Sequence, residues 1–247
     1  MDKIKLTIDG YNKIAKHWDG TRRHGWSEVY QYIDINILKF LIERNITSKK
    51  IVNILDLGCG NGRLIDFLKS RYYFNNLKYV GVDPSKELIN ICIDRYTSGG
   101  NKIKDNLEFK INDGLYIPLC DDSIDIIISL AVLHHLPTNY QNEWLMEVYR
   151  VIKKTKESKI ILTVWIQDDK SYRQEETLAK SVHKKISDNE MMMGFAQYKN
   201  IRYIYLFTEN EIHDLLAKNN FKILESHTDK RPNSSHKNLI LVLEPMY

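Results

Sequence analysis

Apolar and polar positions along the chain switch repeatedly between the spacing typical of strands and the spacing typical of helices. Short apolar runs bounded by glycine or aspartate predict buried strands, and longer stretches with apolar residues three or four apart predict helices. The predicted strands are residues 51–57, 79–83, 107–111, 123–130, 159–165, 221–226 and 238–243. The predicted helices are residues 26–45, 62–72, 85–96, 140–152 and 209–219. Strands that alternate with helices predict an α/β fold with a mostly parallel sheet and helices on both faces.

Polarity within the segments predicts where two of the strands lie in the sheet. Residues 107–111 alternate between polar and apolar side chains, which is typical of an edge strand. Residues 124–128 are mostly isoleucine and predict a central strand. Residues 168–200 are polar and of mixed charge, and they break the pattern. This segment is a lid, a surface insertion or a partly disordered stretch, and the sequence favours none of the three.

Composition limits the class of protein. With 247 residues, 43% of them hydrophobic, we expect a single domain with its own core. Cys59, Cys92 and Cys120 form no CxxC pair, which favours a reducing compartment and argues against a structural metal site. No run of about 18 apolar residues and no signal peptide is present, so we expect no membrane span and a cytoplasmic or nuclear location. The net charge of +4 permits an acidic partner such as RNA without requiring one.

The clearest chemical signal is the run from Asp56 to Gly62, between a predicted strand and a predicted helix. Its glycines, Gly58, Gly60 and Gly62, allow a tight turn and the close approach of a ligand. The spacing differs from the Gly-x-Gly-x-x-Gly loop of dinucleotide enzymes, the acidic residue precedes the glycines, and no Gly-Lys-Ser/Thr follows. These differences favour a ligand without phosphates, such as S-adenosylmethionine, whose ammonium group Asp56 suits directly or through water.

Two further acidic motifs follow the next strands along the chain. Asp83, at the end of the second predicted strand, can accept from both ribose hydroxyls. Residues 112–114 (Asn-Asp-Gly) stand after the third strand, where an adenine amine needs an acceptor. The alternative interpretation is that each aspartate only caps the turn or helix after it. Three aspartates at successive strand ends favour the ligand interpretation.

Four stretches, in order, resemble the motifs of class I S-adenosylmethionine-dependent methyltransferases: residues 54–62, 82–85, 112–114 and 129–135. The resemblance covers about residues 50–165 and implies a Rossmann-like, mostly parallel sheet of seven strands with an antiparallel last strand. It also implies S-adenosylmethionine as cofactor and S-adenosylhomocysteine as product. The cofactor residues that it implies are Asp56, Gly58, Cys59, Gly60, Asn61, Gly62, Asp83, Pro84, Ser85, Asn112, Asp113, Gly114, Ala131 and Val132.

A narrower resemblance comes from both ends of the chain. Residues 11–18, then Thr21-Arg22 and Trp26, are similar to the N-terminal signature of the eukaryotic tRNA wobble-uridine carboxymethyl methyltransferases, which include the methyltransferase domain of an AlkB-homologue tRNA enzyme. Residues 202–207 and Asn238 are similar to the same family. The resemblance implies methyl-ester formation on 5-carboxymethyluridine at the wobble position of a tRNA anticodon. It also implies that residues 1–48 form a helical extension that contributes to the substrate site.

The chain departs from that family at three places. Gln141-Asn142 replaces an arginine pair, the glycine pair is absent from residues 153–156, and an Asp-Arg-Asp-Asn stretch is replaced at residues 229–233. If the arginine pair holds phosphate in the relatives, tRNA must meet other cations here. The candidates are Lys153, Lys154, Lys156, Lys180, Lys184, Lys185, Lys199, Arg202, Lys230 and Arg231.

The implied reaction assigns roles to a few side chains. A carboxylate nucleophile is ionised at neutral pH and needs no general base, so the enzyme must orient it. Arg22 is the first candidate to bind it, since a guanidinium grips a carboxylate in a planar fork, and Trp26 or Tyr11 is a candidate to stack on the uracil. Each can instead have a purely structural role. We expect His134 to be a wall of the pocket and not a metal ligand.

The resemblance further implies a small zinc-binding activator subunit that pairs with the edge strand at residues 107–111. Three other functions stay open on the sequence: methylation of rRNA at guanine N7, methylation of a small molecule, and non-catalytic binding of S-adenosylmethionine by a scaffold protein. The N-terminal signature disfavours the first two, and the intact glycine loop with its three aspartates argues against loss of cofactor binding.

Overall fold

A seven-stranded sheet with helices on both faces forms the centre of the protein in the computed structural model, which describes residues 2–22, 27–43, 51–71, 77–98, 104–167, 182–195, 198–229 and 237–246. The helices are α1 (Lys3–Thr21), α2 (Ser27–Glu43), α3 (Arg63–Arg71), α4 (Lys86–Tyr96), α5 (Thr138–Val151) and α6 (Glu209–Lys218). The strands are β1 (Val52–Leu57), β2 (Leu77–Asp83), β3 (Leu107–Ile111), β4 (Ile126–Leu130), β5 (Lys159–Ile166), β6 (Val182–Lys185), β7 (Glu190–Phe195), β8 (Tyr198–Tyr205), β9 (Phe221–Asp229) and β10 (Lys237–Pro245).

The order of strands in the main sheet is β3-β2-β1-β4-β5-β10-β9. The first five strands are parallel, and β10 runs antiparallel between β5 and β9. The predicted sheet with its antiparallel last strand is therefore confirmed. β3 lies at one edge and β4 at the centre, as their polarity predicts. The strand expected over residues 123–130 begins only at Ile126, while Ile124 forms an isolated bridge to Ile152.

Alternate residues of the central strands enter two separate cores, one on each face of the sheet. Leu55 of β1 belongs to the core that α5 and α6 cover, and the neighbouring Ile54 belongs to the core that α2, α3 and α4 cover. Successive side chains of a strand point to opposite faces of the sheet, so a strand that is apolar at successive positions must be covered on both faces. The almost continuous apolar runs in the sequence follow from this arrangement.

Helix α1 lies against β8 and α4, at the ligand-binding end of the sheet. Asp2 caps its start by accepting from Ile4 N and Lys5 N. Lys3 forms an ion pair of 2.9 Å with Glu190 of β7, and Asp19 binds Arg95 of α4. These contacts at both ends hold the helix across the sheet edge.

The described part of the polar segment forms a small antiparallel sheet of β6, β7 and β8. Residues 168–181 and 196–197 lie outside the described residues. The methionine run, Met191 to Met193, lies in β7 and is buried, with Ile204 of β8 and Trp165 of β5 beside it. None of the helices that the structure describes combines the length and apolar character needed to cross a bilayer.

Candidate cofactor and substrate site

A cavity of about 480 Å³ lies at the carboxyl ends of β1, β2 and β4, which is where open α/β sheets bind ligands. Helix α1 covers it with Ile4, Tyr11 and Trp18. The predicted cofactor residues in its wall are Asp56, Gly58, Cys59, Gly60, Asn61, Asp83, Pro84, Ser85, Asn112, Gly114, Ala131 and Val132. Gly62 and Asp113 are predicted cofactor residues outside that wall.

The glycine loop between β1 and α3 is held against β2 by hydrogen bonds from the amides of Gly58 and the next residue to Val82 O, at 2.7 and 3.1 Å. Gly58 has a φ of +80°, and a Cβ there would lie 2.2 Å from Val132 Cγ2. Gly62 has a φ of +74°, and a Cβ there would lie 2.8 Å from Tyr96 Cε2. Both positions require glycine. Gly58 permits contact with the loop after β4, and Gly62 permits contact with α4.

Asp83 is fixed by two backbone donors and points into the cavity. Its Oδ2 accepts from Gly60 N at 2.9 Å and its Oδ1 accepts from Ser85 N at 2.8 Å. The Ser85 hydroxyl donates to Asn12 Oδ1 at 2.8 Å, which links this turn to α1. Burial raises the pKa of Asp83 to about 6, although both backbone donors lower it. Each carboxylate oxygen keeps a further lone pair, so the group can still accept from two ribose hydroxyls.

Asp56 is buried at the end of β1 beside a tyrosine. Its Oδ2 accepts from the Tyr79 hydroxyl at 2.6 Å. Burial raises the pKa of Asp56 to about 7, and the charge of Asp83 adds to this rise, whereas Tyr79 and Arg63 oppose it. A cationic group of a ligand placed beside Asp56 would favour the ionised carboxylate and so draw its pKa down.

The raised pKa of Asp56 predicts that S-adenosylhomocysteine, which carries the same ammonium as the cofactor, binds more weakly in acid. Below pH 7 the carboxyl is protonated in the free protein, and binding must first remove that proton. With a pKa of about 7, affinity should be about tenfold lower at pH 6 than at pH 8. Isothermal titration calorimetry at the two pH values measures this. Asp56→Asn should bind more weakly at both and keep only the smaller pH dependence due to Asp83; an unchanged slope in this variant would contradict the assignment.

The Asn-Asp-Gly turn after β3 presents its asparagine, and not its aspartate, to the cavity. Asn112 Nδ2 donates to Tyr116 O at 3.0 Å, and Asn112 Oδ1 is buried without a hydrogen bond to any described residue. Asp113 is exposed, and its Oδ1 accepts from Leu115 N and Tyr116 N at 2.9 and 2.8 Å. The structure therefore gives Asp113 the turn-capping role that was its alternative interpretation.

A hydrogen-bonded chain joins α1, the loop after β4 and β8. His135 Nδ1 lies 2.9 Å from Tyr203 O, and its Nε2 lies 3.0 Å from the Tyr11 hydroxyl. A carbonyl oxygen only accepts, so Nδ1 carries the proton. Burial and then the charge of Arg202 lower the pKa of His135 to about 3, so the ring is neutral and its Nε2 accepts from Tyr11.

His134 forms part of the wall, as expected, and its ring stacks on Trp165 with centroids 4.6 Å apart. It is fully buried, and its Nδ1 accepts from Trp165 N at 3.3 Å. No group of three or more histidine, cysteine or acidic residues suited to a metal occurs in the described ranges. All three cysteines are free thiols.

Of the two substrate residues Arg22 and Trp26 that the N-terminal signature implies, the structure describes only Arg22. Arg22 follows α1 and is exposed, with its guanidinium carbon 4.9 Å from the Trp18 ring and its Nη1 donating to Thr21 O at 3.3 Å. Arg22 lines the cavity, and its carbonyl oxygen accepts from Asn61 Nδ2 at 3.3 Å. Trp26 lies outside the described residues.

The sequence predicts a different role for Arg202 from the one that the structure indicates. Arg202 is expected among surface cations that meet phosphate, but the structure places it in the cavity wall with its guanidinium carbon 5.4 Å from the Trp165 ring centre. Arg202 lies in β8, opposite Met193 of β7. The resemblance of residues 202–207 to the tRNA carboxymethyl methyltransferases drew attention to this stretch, but no pattern placed Arg202 in a cavity, because β8 was not predicted and its partner strand β7 comes from the polar segment.

The two residues that replace the arginine pair of the relatives make internal contacts. Gln141 is buried and its Nε2 donates to Leu136 O at 3.0 Å. Asn142 Oδ1 accepts from Asn219 Nδ2 at 2.9 Å. These two positions therefore tie α5 to its surroundings.

Comparison with known proteins agrees with this site. A family model described as a methyltransferase domain matches residues 54–155, which include the glycine loop and the turn after β4. The chain is 28% identical to the tRNA (carboxymethyluridine(34)-5-O)-methyltransferase ALKBH8 of Mus musculus over 64% of its own length, but it spans only 19% of that protein. It is 26% identical to the tRNA (carboxymethyluridine(34)-5-O)-methyltransferase of Schizosaccharomyces pombe, with 89% of this chain and 90% of that protein covered.

Solved structures share the fold. A methyltransferase of Haloferax volcanii, in complex with the Trm112 methyltransferase activator, superposes with a TM-score of 0.63 at 15% identity and covers 98% of both chains. The glycine loop, the strand-end carboxylates, the order of strands in the sheet and the sequence similarity all indicate the same class of protein. The chain therefore has the class I methyltransferase fold with a methyltransferase domain over residues 54–155, and it is similar in sequence to the tRNA carboxymethyluridine methyltransferases.

Proposed function

We propose that this chain transfers the methyl group of S-adenosylmethionine to the carboxylate of 5-carboxymethyluridine at the wobble position of a tRNA anticodon. The products are the methyl ester and S-adenosylhomocysteine. The observation that carries the proposal is the form of the cavity, which runs from the glycine loop to an aromatic and cationic end made by Trp165, Arg202 and Tyr11. Such an end suits a planar base that bears a negative charge. The relatives named for this reaction add support.

The cofactor fits the described residues in order along the sheet edge. Asn112 Oδ1, buried and without a donor among the described residues, suits the adenine amine. Asp83 suits the ribose hydroxyls, and Asp56 suits the ammonium group. When bound, S-adenosylmethionine supplies an electrophilic methyl group on a positively charged sulfur. Ala131 and Val132 line the cavity after β4, next to the substrate end, and would hold the methyl-bearing part of the cofactor there.

The residues of this chain orient the reactants and do not need to remove a proton. The carboxylate of the substrate has an ordinary pKa of about 4 and is ionised at neutral pH. One of its oxygens forms the new bond to the methyl carbon while the carbon–sulfur bond breaks and its electron pair goes to sulfur. No proton moves. The Nε2 lone pair of His135 is already occupied by the Tyr11 hydroxyl, which agrees with a positioning role for that pair.

A partner subunit is part of the proposal. β3 pairs only with β2 in the described sheet, so one side of its backbone is open, and Ile111 at its end is exposed. Adding a strand there would satisfy the open hydrogen-bonding groups. The Haloferax volcanii methyltransferase with a similar fold is bound to an activator. We therefore propose that a zinc-binding activator pairs with β3, and that residues 1–48 of this chain contribute to the substrate end.

The proposal is tested by incubating the chain with labelled S-adenosylmethionine and anticodon stem-loops that carry either 5-carboxymethyluridine or unmodified uridine, with and without the activator subunit. We expect label that mild alkali releases, since esters hydrolyse, and only on the carboxymethyluridine stem-loop. Alkali-stable label would indicate methylation of a base nitrogen or carbon, as in the rRNA alternative. Absence of label with the activator present would favour a small-molecule substrate or a scaffold.

A further inference from the structure

We infer that Arg202, and not Arg22, is the side chain that binds the substrate carboxylate and so makes the enzyme specific for an acidic wobble base. The inference rests on the proposed function and adds a specificity-determining residue to it. It depends on where the two arginines lie along the edge of the sheet and on what each of them contacts.

The order of the strands separates a cofactor end from a substrate end. Across the sheet edge the order is Asn112 after β3, Asp83 at the end of β2, Asp56 near the end of β1, Ala131 after β4 and Trp165 near the end of β5. Adenine, ribose and the amino-acid part of the cofactor use the first three positions in the proposed arrangement. The methyl acceptor must therefore lie beyond β1, on the side of β4 and β5.

Arg202 lies on the acceptor side. Its guanidinium carbon is 5.4 Å from the centre of the Trp165 ring, and it lines the same cavity. Its charge lowers the pKa of His135, which lines the cavity and is hydrogen-bonded to Tyr11, so Arg202 acts on a residue of the substrate end. An aromatic face stabilises a partly buried guanidinium without neutralising its charge.

Arg22 lies on the cofactor side. Its carbonyl oxygen is bound to Asn61 of the glycine loop, and its guanidinium stacks near Trp18, whose Nε1 is the nearest atom to a Cβ built at Gly60. The preceding Asp19 binds Arg95 of α4. Arg22 is exposed, so its charge is well solvated. A contact with a carboxylate there would contribute less binding free energy than one in a partly buried wall.

Geometry favours an arginine for this task. A planar guanidinium can donate two parallel N–H bonds to one carboxylate, which fixes the plane of the carboxylate and the direction of its remaining lone pairs. Held by Arg202, the carboxylate would direct a lone pair toward β4, where the methyl group is expected. A neutral carboxamide offers one oxygen in place of two and carries no charge, so it should bind weakly at this position.

The test compares two anticodon stem-loops that differ only in the wobble side chain, 5-carboxymethyluridine or 5-carbamoylmethyluridine, for binding to the full chain with its activator and saturating S-adenosylhomocysteine. The wild type should prefer the carboxylate by at least about tenfold, as expected for a charge-assisted hydrogen bond. Arg202→Gln should reduce this preference to about twofold or less with unchanged affinity for S-adenosylhomocysteine, and Arg22→Gln should keep the full preference.

Two further variants separate recognition from loss of structure. Tyr11→Phe removes the hydroxyl that is hydrogen-bonded to Arg202 but keeps the guanidinium charge, so it should reduce the preference for the carboxylate less than Arg202→Gln does. Arg202→Lys keeps the charge but lacks the planar fork and should give an intermediate preference, which serves as the test if Arg202→Gln does not fold.

Retention of the wild-type preference by Arg202→Gln, its loss in Arg22→Gln, or the absence of any preference in the wild type would each overturn the inference. Binding is measured without turnover, so the result is separate from the proposed function. That function fails if the wild-type complex forms no alkali-labile ester on the carboxymethyluridine stem-loop, whatever the arginine variants do.

Discussion

Replacing Asp83 by asparagine is expected to weaken the binding of S-adenosylhomocysteine by at least about 100-fold, because hydrogen bonds to a charged group contribute about 1.5–3 kcal/mol each and two ribose hydroxyls lose that partner. An asparagine amide has nearly the size of the carboxylate, but it fits the two backbone donors around Asp83 less well. Gly60 N and Ser85 N donate to different oxygens of Asp83. An amide must therefore place its NH₂ group against one of these N–H groups, whichever way it is turned. Titration calorimetry of the purified variant gives the affinity.

The matched control for this variant is Asp113→Asn. Asp83 ends one parallel strand and Asp113 lies two residues after another, and the sequence predicts both as cofactor ligands. In the structure Asp113 is exposed and accepts only from the amides of its own turn through Oδ1, which asparagine can also provide. Its affinity for S-adenosylhomocysteine should stay within about threefold of the wild type, since a surface substitution away from the ligand has a small effect. Equal losses in both variants would contradict the assignment of Asn112 as the adenine acceptor.

Gly58→Ala is expected to reduce the free energy of unfolding by about 2–5 kcal/mol, from the strain of a left-handed backbone together with overpacking. The φ of Gly58 is +80°, and the new methyl group would lie 2.2 Å from Val132 Cγ2. The loop after β4 must move to relieve this contact. Because that loop also forms the wall between the cofactor and substrate ends, cofactor affinity should fall with stability. Chemical denaturation followed by circular dichroism measures the first effect.

The control for this variant is Gly20→Ala. Gly20 lies within helix α1, and a Cβ there meets no atom within 4 Å. Alanine is favoured over glycine in a helix by about 0.5–1 kcal/mol, so this variant should be as stable as the wild type or slightly more stable. A Gly58→Ala protein that unfolds at the same denaturant concentration as Gly20→Ala would show that the contact with Val132 is not as tight as the structure has it.

The cofactor half of the site was largely predictable from the sequence because it is built from short local motifs. A strand that ends in Asp-Leu-Gly-Cys-Gly-Asn-Gly and runs into a helix can place its glycines in few ways, and Asp83 follows directly from the end of its strand. The exceptions are Gly62, which packs against α4, and Asp113, which turns away from the cavity. Contact with α4, which is distant in the chain, decides what Gly62 faces, whereas hydrogen bonds within its own turn direct Asp113.

The substrate half depended on long-range contacts and was only partly predictable. The resemblance drew attention to Arg22, but the position of the substrate end is set by β8, whose partner strand β7 comes from a polar segment without a clear pattern. The chain that joins Tyr11, His135 and Tyr203 links residues 124 and 68 positions apart. Sequence spacing carries no information about such contacts.

By itself, the sequence determined the order along the chain of α2 to α6 and of the seven strands of the main sheet, the edge and central positions of β3 and β4, and the chemistry of the cofactor loop. These properties follow from hydrophobic periodicity and from backbone conformations that only glycine adopts readily, and both are encoded within a few neighbouring residues. Only the tertiary structure decided that α1 covers the cavity, that Asn112 and not Asp113 faces it, and that Arg202 lies beside Trp165. Those placements depend on how distant segments bury their apolar faces against one another, and a side chain at the rim of such a contact points wherever the neighbouring elements leave room.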